Sequence, residues 1–267
     1  IMDEYCSDMA SRLFLLQKNI DVLRSVIVYH KNGDTSRLSL TRTSSVIEEN
    51  ILKFNNWKNF SLIPLDADLC KNIAEDLNEK IFQKGTHNFS TNKTKNYIDL
   101  HKKFKISKNK KIIVLFSSSE DEHAALSINH KILKLKKYKD IFKNNFEWVD
   151  NTINYVSQSS NYHLIIKFHP RIGSTSREKL RSDIYESYKK KYFDQDFKNV
   201  TVLKPETIIS SYDLADICDL ALVGWGTIGL ELARLGVPVI VSMRSFMNNA
   251  PNIKLLKLPK NPTDYFR

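Results

Sequence analysis

Five short runs of nearly continuous Ile, Val and Leu recur through the second part of the chain, at residues 112–116, 162–168, 200–203, 220–223 and 237–241. This recurrence constrains the fold more than any other feature. A strand with one wet face alternates apolar and polar residues, whereas a strand apolar on both faces must be covered on both. The segments at 146–158, 176–193, 211–217 and 227–235 have the length and periodicity of helices. Strand and helix in alternation form a parallel sheet layered by helices. The expectation is therefore a doubly wound, Rossmann-like α/β domain from about residue 104 to 267. In such sheets ligands bind beyond the carboxyl ends of the strands, so the loops there are where chemistry is expected.

Residues 1–100 alternate less clearly and read as a partial N-terminal α/β region. A helix is expected at 3–18. A strand at 23–30 is followed by an Asn32-Gly33 turn and a second strand at 37–43. Ser45 and Glu48 have capping-box spacing and would open a helix running toward residue 54. A short strand at 61–64 and a helix at 66–83, closed by Gly85, come next; the polar stretch 87–97 reads as a linker.

Composition narrows the class. There are only 7 Gly in 267 residues, and four of them fall between 224 and 236, which excludes collagen-like and Gly/Ser-linker chains. Cys6, Cys70 and Cys218 are far apart and match neither a disulfide framework nor a CxxC metal pair. The most apolar early stretch, 13–28, is broken by Lys18, Asp21 and Arg24, so neither a spanning helix nor a signal peptide is expected. These features suit reduced thiols in a cytoplasmic protein. The chain opens on Ile1 and stops at Arg267 just past a Pro-containing stretch, as a fragment would.

The formal net charge is +11, and it is concentrated. Twelve lysines against four acids lie between His101 and Phe146, leaving eight of the eleven excess positive charges there. Nucleic acid is one partner for such a block, but zinc-finger spacing, a helix-turn-helix and interleaved aromatics are all missing, so none is expected. Within it, residues 131–146 set Ile132, Leu135, Tyr138 and Phe142 at helical spacing among six lysines. That pattern fits a basic amphipathic helix resting on an anionic membrane surface, and equally a solvated helix face.

Three strand ends carry the residues suited to chemistry. The strand at 112–116 runs into Ser117, Ser118, Ser119, Glu120, Asp121 and Glu122. Hydroxyls at a helix N-terminus suit phosphate or sugar hydroxyl groups, and Glu120, nearest the strand end, suits general-base work. An N-cap with acids in the first turn explains Ser119 and Glu122 equally well. The next strand ends in Lys167-Phe168-His169-Pro170-Arg171. Pro170 stops the strand and would hold His169 at the sheet edge between two cations, as a phosphate ligand or general acid. The fourth strand leads into Gly224-Trp225-Gly226-Thr227-Ile228-Gly229, with Glu231 one turn beyond Thr227. Gly226 would let a ligand approach the backbone, Thr227 would cap the helix and face a phosphate, and Glu231 would hold sugar hydroxyls. The three glycines spell G-x-G-x-x-G. They follow a late strand, however, and no acid stands at the ribose-binding spacing, so no dinucleotide cofactor is expected.

Together, Ser117–Glu122, Lys167-Phe168-His169-Pro170, the stretch 210–219, Gly226–Glu231 and Gly236-Val237-Pro238-Val239-Ile240 resemble capsule and surface-polysaccharide biosynthesis proteins. The His-Pro pair resembles that of bacterial transferases using CMP-activated sialic acid or Kdo. The resemblance covers residues 104–242 and implies a GT-B-like glycosyltransferase, with 104–267 as its nucleotide-sugar-binding domain and 1–100 on the acceptor side. It implies His169 and Thr227 on the donor phosphate and Glu231 on ribose or base. His169 and Glu120 are then the catalytic candidates; Ser118, Ser119, Glu122, Lys167, Arg171, Gly226, Thr227 and Glu231 are the donor-binding ones. It implies no bound metal, and a glycan or lipid-linked acceptor at the inner face of the cytoplasmic membrane. A CDP-polyol (glycerol-phosphate) transferase of the same architecture is the alternative enzyme. A basic binding protein for nucleic acid or acidic glycan is the non-catalytic alternative. Gly226 stands where such families commonly carry Ser, which removes one hydroxyl donor.

Overall fold

The computed structural model describes residues 24–28, 37–41, 66–82, 98–120, 141–174, 179, 181–224, 226–242, 256–257 and 261–266, with positions 15, 18, 20, 64 and 93. The chain divides into two compact units. One comprises Ile1–Asp76, Glu120–Lys139 and Arg244–Asn252; the other comprises Leu77–Ser119, Asp140–Met243 and Ile253–Arg267.

In the first unit, β1 (Arg24–Val28) and β2 (Arg37–Thr41) pair antiparallel with Val26 opposite Ser39, as the Asn32-Gly33 turn anticipates. The helix α1 (Ala67–Phe82) follows, with its residues from Leu77 onward counted in the second unit. The expected capping box at Ser45, the strand at 61–64 and the Gly85 cap lie outside the described residues, as does nearly all of the helix expected at 3–18.

The second unit holds the sheet. After the short helix α2 (Leu100–Lys103) come β3 (Lys111–Phe116), α3 (Asn145–Ser157), β4 (Tyr162–Lys167), α4 (Tyr185–Tyr188), β5 (Val200–Leu203) and α5 (Ser211–Ala215). β6 (Leu220–Val223), α6 (Ile228–Arg234), β7 (Val239–Val241), β8 (Leu256–Lys257) and α7 (Pro262–Tyr265) complete it. The strands lie in the order β5-β4-β3-β6-β7-β8, and every neighbouring pair is parallel. Numbered within the sheet this is 3-2-1-4-5-6, the doubly wound order, with its topological switch point between β3 and β6. Five of the six β3 residues are buried, as both-face coverage requires. β8 was not foreseen, because two residues carry too little pattern.

α3 shows how local sequence builds a layer. Asn144 caps it by accepting a hydrogen bond from the Glu147 N–H at 2.9 Å. Asn145, Trp148, Val149, Thr152, Ile153 and Val156 are buried, the spacing of one helix face. The Trp148 indole N–H donates to Tyr265 Oη at 2.8 Å, tying α7 to α3.

Two expectations are corrected. The long polar helix expected at 176–193 forms only in its second half: residues 179 and 181–184 are not helical. The helix starts at Tyr185 and continues past Tyr188 as a widened turn, Lys189–Phe193, in which the Asp194 N–H reaches back to Lys189 O at 3.2 Å. Aromatic burial decides it. Tyr188, Tyr192 and Phe193 surround Phe168 with ring centroids 5.1, 5.5 and 5.0 Å away. The amphipathic helix expected at 131–146 is likewise not formed at its described end. Residues 141–144 are non-helical, and Phe142 is buried edge-on against Tyr265 at 5.1 Å, not presented to a lipid surface. Residues 131–140 lie outside the described ones, and no described helix is long and apolar enough to cross a membrane.

Candidate active site

The carboxyl ends of β3, β4 and β6 meet at the switch point, and hydrogen bonds stitch them together. The Ser117 N–H donates to Lys167 O at 3.1 Å, and Ser117 Oγ accepts from the His169 N–H at 2.8 Å, joining β3 to β4. On the other side the Gly224 N–H donates to Phe116 O at 3.3 Å. Behind the turn, Asn145 at the start of α3 donates from Nδ2 to Ser118 O at 3.0 Å. Ser118 and Ser119 are buried. The Ser119 hydroxyl has no hydrogen-bond partner among the described residues, a state that native interiors rarely tolerate without a ligand or water to meet it.

His169 stands at the edge as expected, half-buried, and caps the short turn Pro170–Ile172. Its Nδ1 accepts the Arg171 N–H at 3.2 Å. With Nδ1 accepting, the ring proton sits on Nε2. Arg171 is half-buried in the same turn.

Lys167 behaves differently from the exposed cation that the sequence suggested. It is buried, its Nζ donates to Ile209 O at 2.7 Å, and burial pushes its pKa down to about 8, opposed by the nearby Asp213 carboxylate. Alternation explains this: Lys167 occupies the last β4 position and faces the layer that α5 covers, so it braces the β5–α5 loop from below.

The three glycines of the fingerprint have three different reasons. A Cβ on Gly224 would lie 2.5 Å from Ser118 Oγ and 3.1 Å from Trp148 Cζ3, so this glycine permits packing between the two strand ends. Gly226 has φ +141°, and among the described residues no atom lies within 4 Å of a Cβ position there. Gly229 is buried within α6. Thr227 is exposed and its hydroxyl does not cap α6; the helix starts without a side-chain cap.

Glu231 is buried on α6 and accepts a hydrogen bond at Oε2 from Tyr212 Oη of α5 at 2.8 Å. Sequence reasoning missed Tyr212, because the pair is separated by a whole strand and nothing local marks it. Glu120 is half-buried and groups with the other compact unit, and Glu122 lies outside the described residues. The structure thus brings together Ser118, Ser119, His169, Arg171 and Gly226 on one edge. Thr227 and Glu231 follow on the helix that leaves it. Among the described residues no group of His, Cys, Asp and Glu has the makings of a metal site.

No protein-family model matches the chain, and no curated protein matches it in sequence. Among solved structures it is similar to the beta Kdo 2,4 transferase of KpsC from Thermosulfurimonas dismutans, with 12% identity and a TM-score of 0.53 over 97% of this chain and 75% of that one. The beta Kdo 2,7 transferase of the same KpsC aligns with 15% identity and a TM-score of 0.46 over 94% and 71%. A putative UDP-N-acetylglucosamine 2-epimerase from Listeria monocytogenes aligns with 11% identity and a TM-score of 0.43 over 97% and 69%. The first likeness carries the fold: the chain is a GT-B-like α/β protein built on a Rossmann-like parallel sheet.

Proposed function

We propose that the protein is a glycosyltransferase of capsule or surface-polysaccharide assembly. It transfers a sugar from a nucleotide-activated donor, CMP-linked in the reading favoured by the His169-Pro170 pair, to a glycan or lipid-linked acceptor at the inner face of the cytoplasmic membrane. One observation carries the reading. The switch-point edge gathers the His169 imidazole, whose ring proton sits on Nε2, the buried Ser119 hydroxyl, which has no hydrogen-bond partner among the described residues, and the Gly226 backbone, with no described atom within 4 Å of a Cβ position, all groups suited to a phosphate.

In the reaction the acceptor hydroxyl oxygen bonds to the anomeric carbon as the bond from that carbon to the donor phosphate oxygen breaks. The electron pair leaves with the nucleotide, and the acceptor proton passes to a general base. His169 Nε2–H and the Ser119 hydroxyl offset the charge that grows on the phosphate, an electrostatic contribution made before the bond breaks. Glu231 holds the ribose hydroxyls. Lys167 serves the site from beneath, by holding Ile209.

Calorimetry with CMP, CDP and UDP tests the reading. One nucleotide should bind in preference, and His169→Ala should weaken it about tenfold, the loss of one charge-assisted hydrogen bond. Absence of nucleotide binding would sink the proposal. Product analysis that found glycerol phosphate transferred would replace sugar transfer with polyol-phosphate transfer at the same site.

A further inference from the structure

We infer that Tyr212 is a positioning residue that makes the donor site select a ribonucleotide over its 2′-deoxy counterpart; this rests on the donor-site reading above. The argument starts from the state of Glu231. Its side chain belongs to a residue 7% exposed, and among the described residues its carboxylate receives one hydrogen bond, from Tyr212 Oη, and pairs with no cation. A carboxylate offers about four acceptor positions, and burying one behind a single neutral donor is unfavourable. A pair of neighbouring hydroxyls supplies the two further donors that such a group lacks.

Position agrees. Tyr212 is the second residue of α5 and Glu231 the fourth of α6, so both stand in the first turn of helices that leave the carboxyl ends of β5 and β6. That is the edge where His169, Ser119 and Gly226 lie. Tyr212 is itself held firmly. It is 3% exposed, its N–H donates to Ser210 Oγ at 3.2 Å, and the Ser210 N–H in turn donates to Asp213 Oδ2 at 3.2 Å. The α5 cap fixes the tyrosine, the tyrosine fixes Oε2, and the carboxylate is prevented from rotating. Oε1 then meets the 2′- and 3′-hydroxyls in one orientation. A site built this way rejects a ligand lacking one hydroxyl, because the carboxylate is left partly unmet.

The test compares the preferred nucleotide among CMP, CDP and UDP with its 2′-deoxy form, using the full chain. The wild type should favour the ribo form by about tenfold or more, Tyr212→Phe by about threefold, and Glu231→Gln scarcely at all. A merely structural tyrosine would weaken both nucleotides equally and leave the ratio unchanged, which would overturn the inference. If Tyr212→Phe does not fold, Glu231→Gln decides: a ratio as large as that of the wild type overturns it too. A wild type that binds the nucleotide without any ribo preference removes the Tyr212 role and leaves nucleotide binding standing. A wild type that binds none of the three removes both.

Discussion

The two edges of the parallel sheet carry similar residues in opposite states. At the amino edge several polar groups pair with one another. Asp219 pairs with Lys111 Nζ and accepts the Ile112 N–H, both at 2.8 Å. Burial works against its charge, but these hydrogen bonds hold its carboxyl below the usual range. Lys110 donates to Asn199, Asn199 donates to Ser159 O at 2.7 Å, and His163 Nε2 meets Thr201 Oγ1 at 2.8 Å. Burial, aided by Lys110, pushes that histidine down to about 4, so it stays neutral. At the carboxyl edge Ser119 has no partner among the described residues and Glu231 has one, from Tyr212. The difference teaches that residue type does not mark a site: polar groups that meet one another are architecture, and a buried polar group left short of partners is a candidate for binding.

The largest effect that would sharpen this contrast is expected at the seam between β3 and β6. Gly224→Ala should cost about 3 kcal/mol in urea unfolding, because the new methyl meets Ser118 and Trp148 in a packed turn. A loss under about 0.5 kcal/mol would show that the turn yields. Next comes Lys167. Its folded-state pKa lies below that of the unfolded chain, so the unfolded state holds more protons above pH 8 and stability must rise with pH. The gain from pH 8 to 10 should be about 2 kcal/mol, and Lys167→Met should remove that part of the slope. A parallel slope in both proteins would contradict its burial.

Smaller effects separate the two edges directly. His169→Ala should weaken nucleotide binding about tenfold, roughly 1.4 kcal/mol, and cost about 1 kcal/mol of stability by stranding the Arg171 N–H. Asp219→Ala should cost about 1 kcal/mol of stability by stranding the Ile112 N–H, with nucleotide affinity unchanged. If Asp219→Ala weakened nucleotide binding as His169→Ala does, the division between edges would be broken.

How much of this was legible in advance follows from the range of each signal. Five of the six strands of the sheet and their alternation with helices were visible, because each depends on a run of four to seven residues. His169 was visible because Pro170 dates the strand end. The burial of Lys167 was not, since a lysine ordinarily reports solvent and only the pairing of β4 with β5 turns it inward. Thr227 looked like a cap because of its place before a helix, yet its hydroxyl makes no such bond. The partnership of Tyr212 with Glu231 spans 19 residues and an intervening strand, beyond any local pattern. The helix expected at 176–193 starts only at Tyr185, because its helix-favouring polar residues were weighed without the aromatic core that places Tyr185 and its neighbours.

The widened turn at Lys189–Phe193 has one more residue per turn than an ordinary helix. Three successive lysines on it are exposed, and the two aromatics that follow are both buried beside Phe168, the residue before His169. Removing one of those lysines would turn Tyr192 and Phe193 through about 100° relative to the core. The packing around Phe168 is therefore written partly in a count. The identity of the three lysines matters little, but their number acts as a spacer, and a deletion on the protein's outer surface would be felt at its most buried seam.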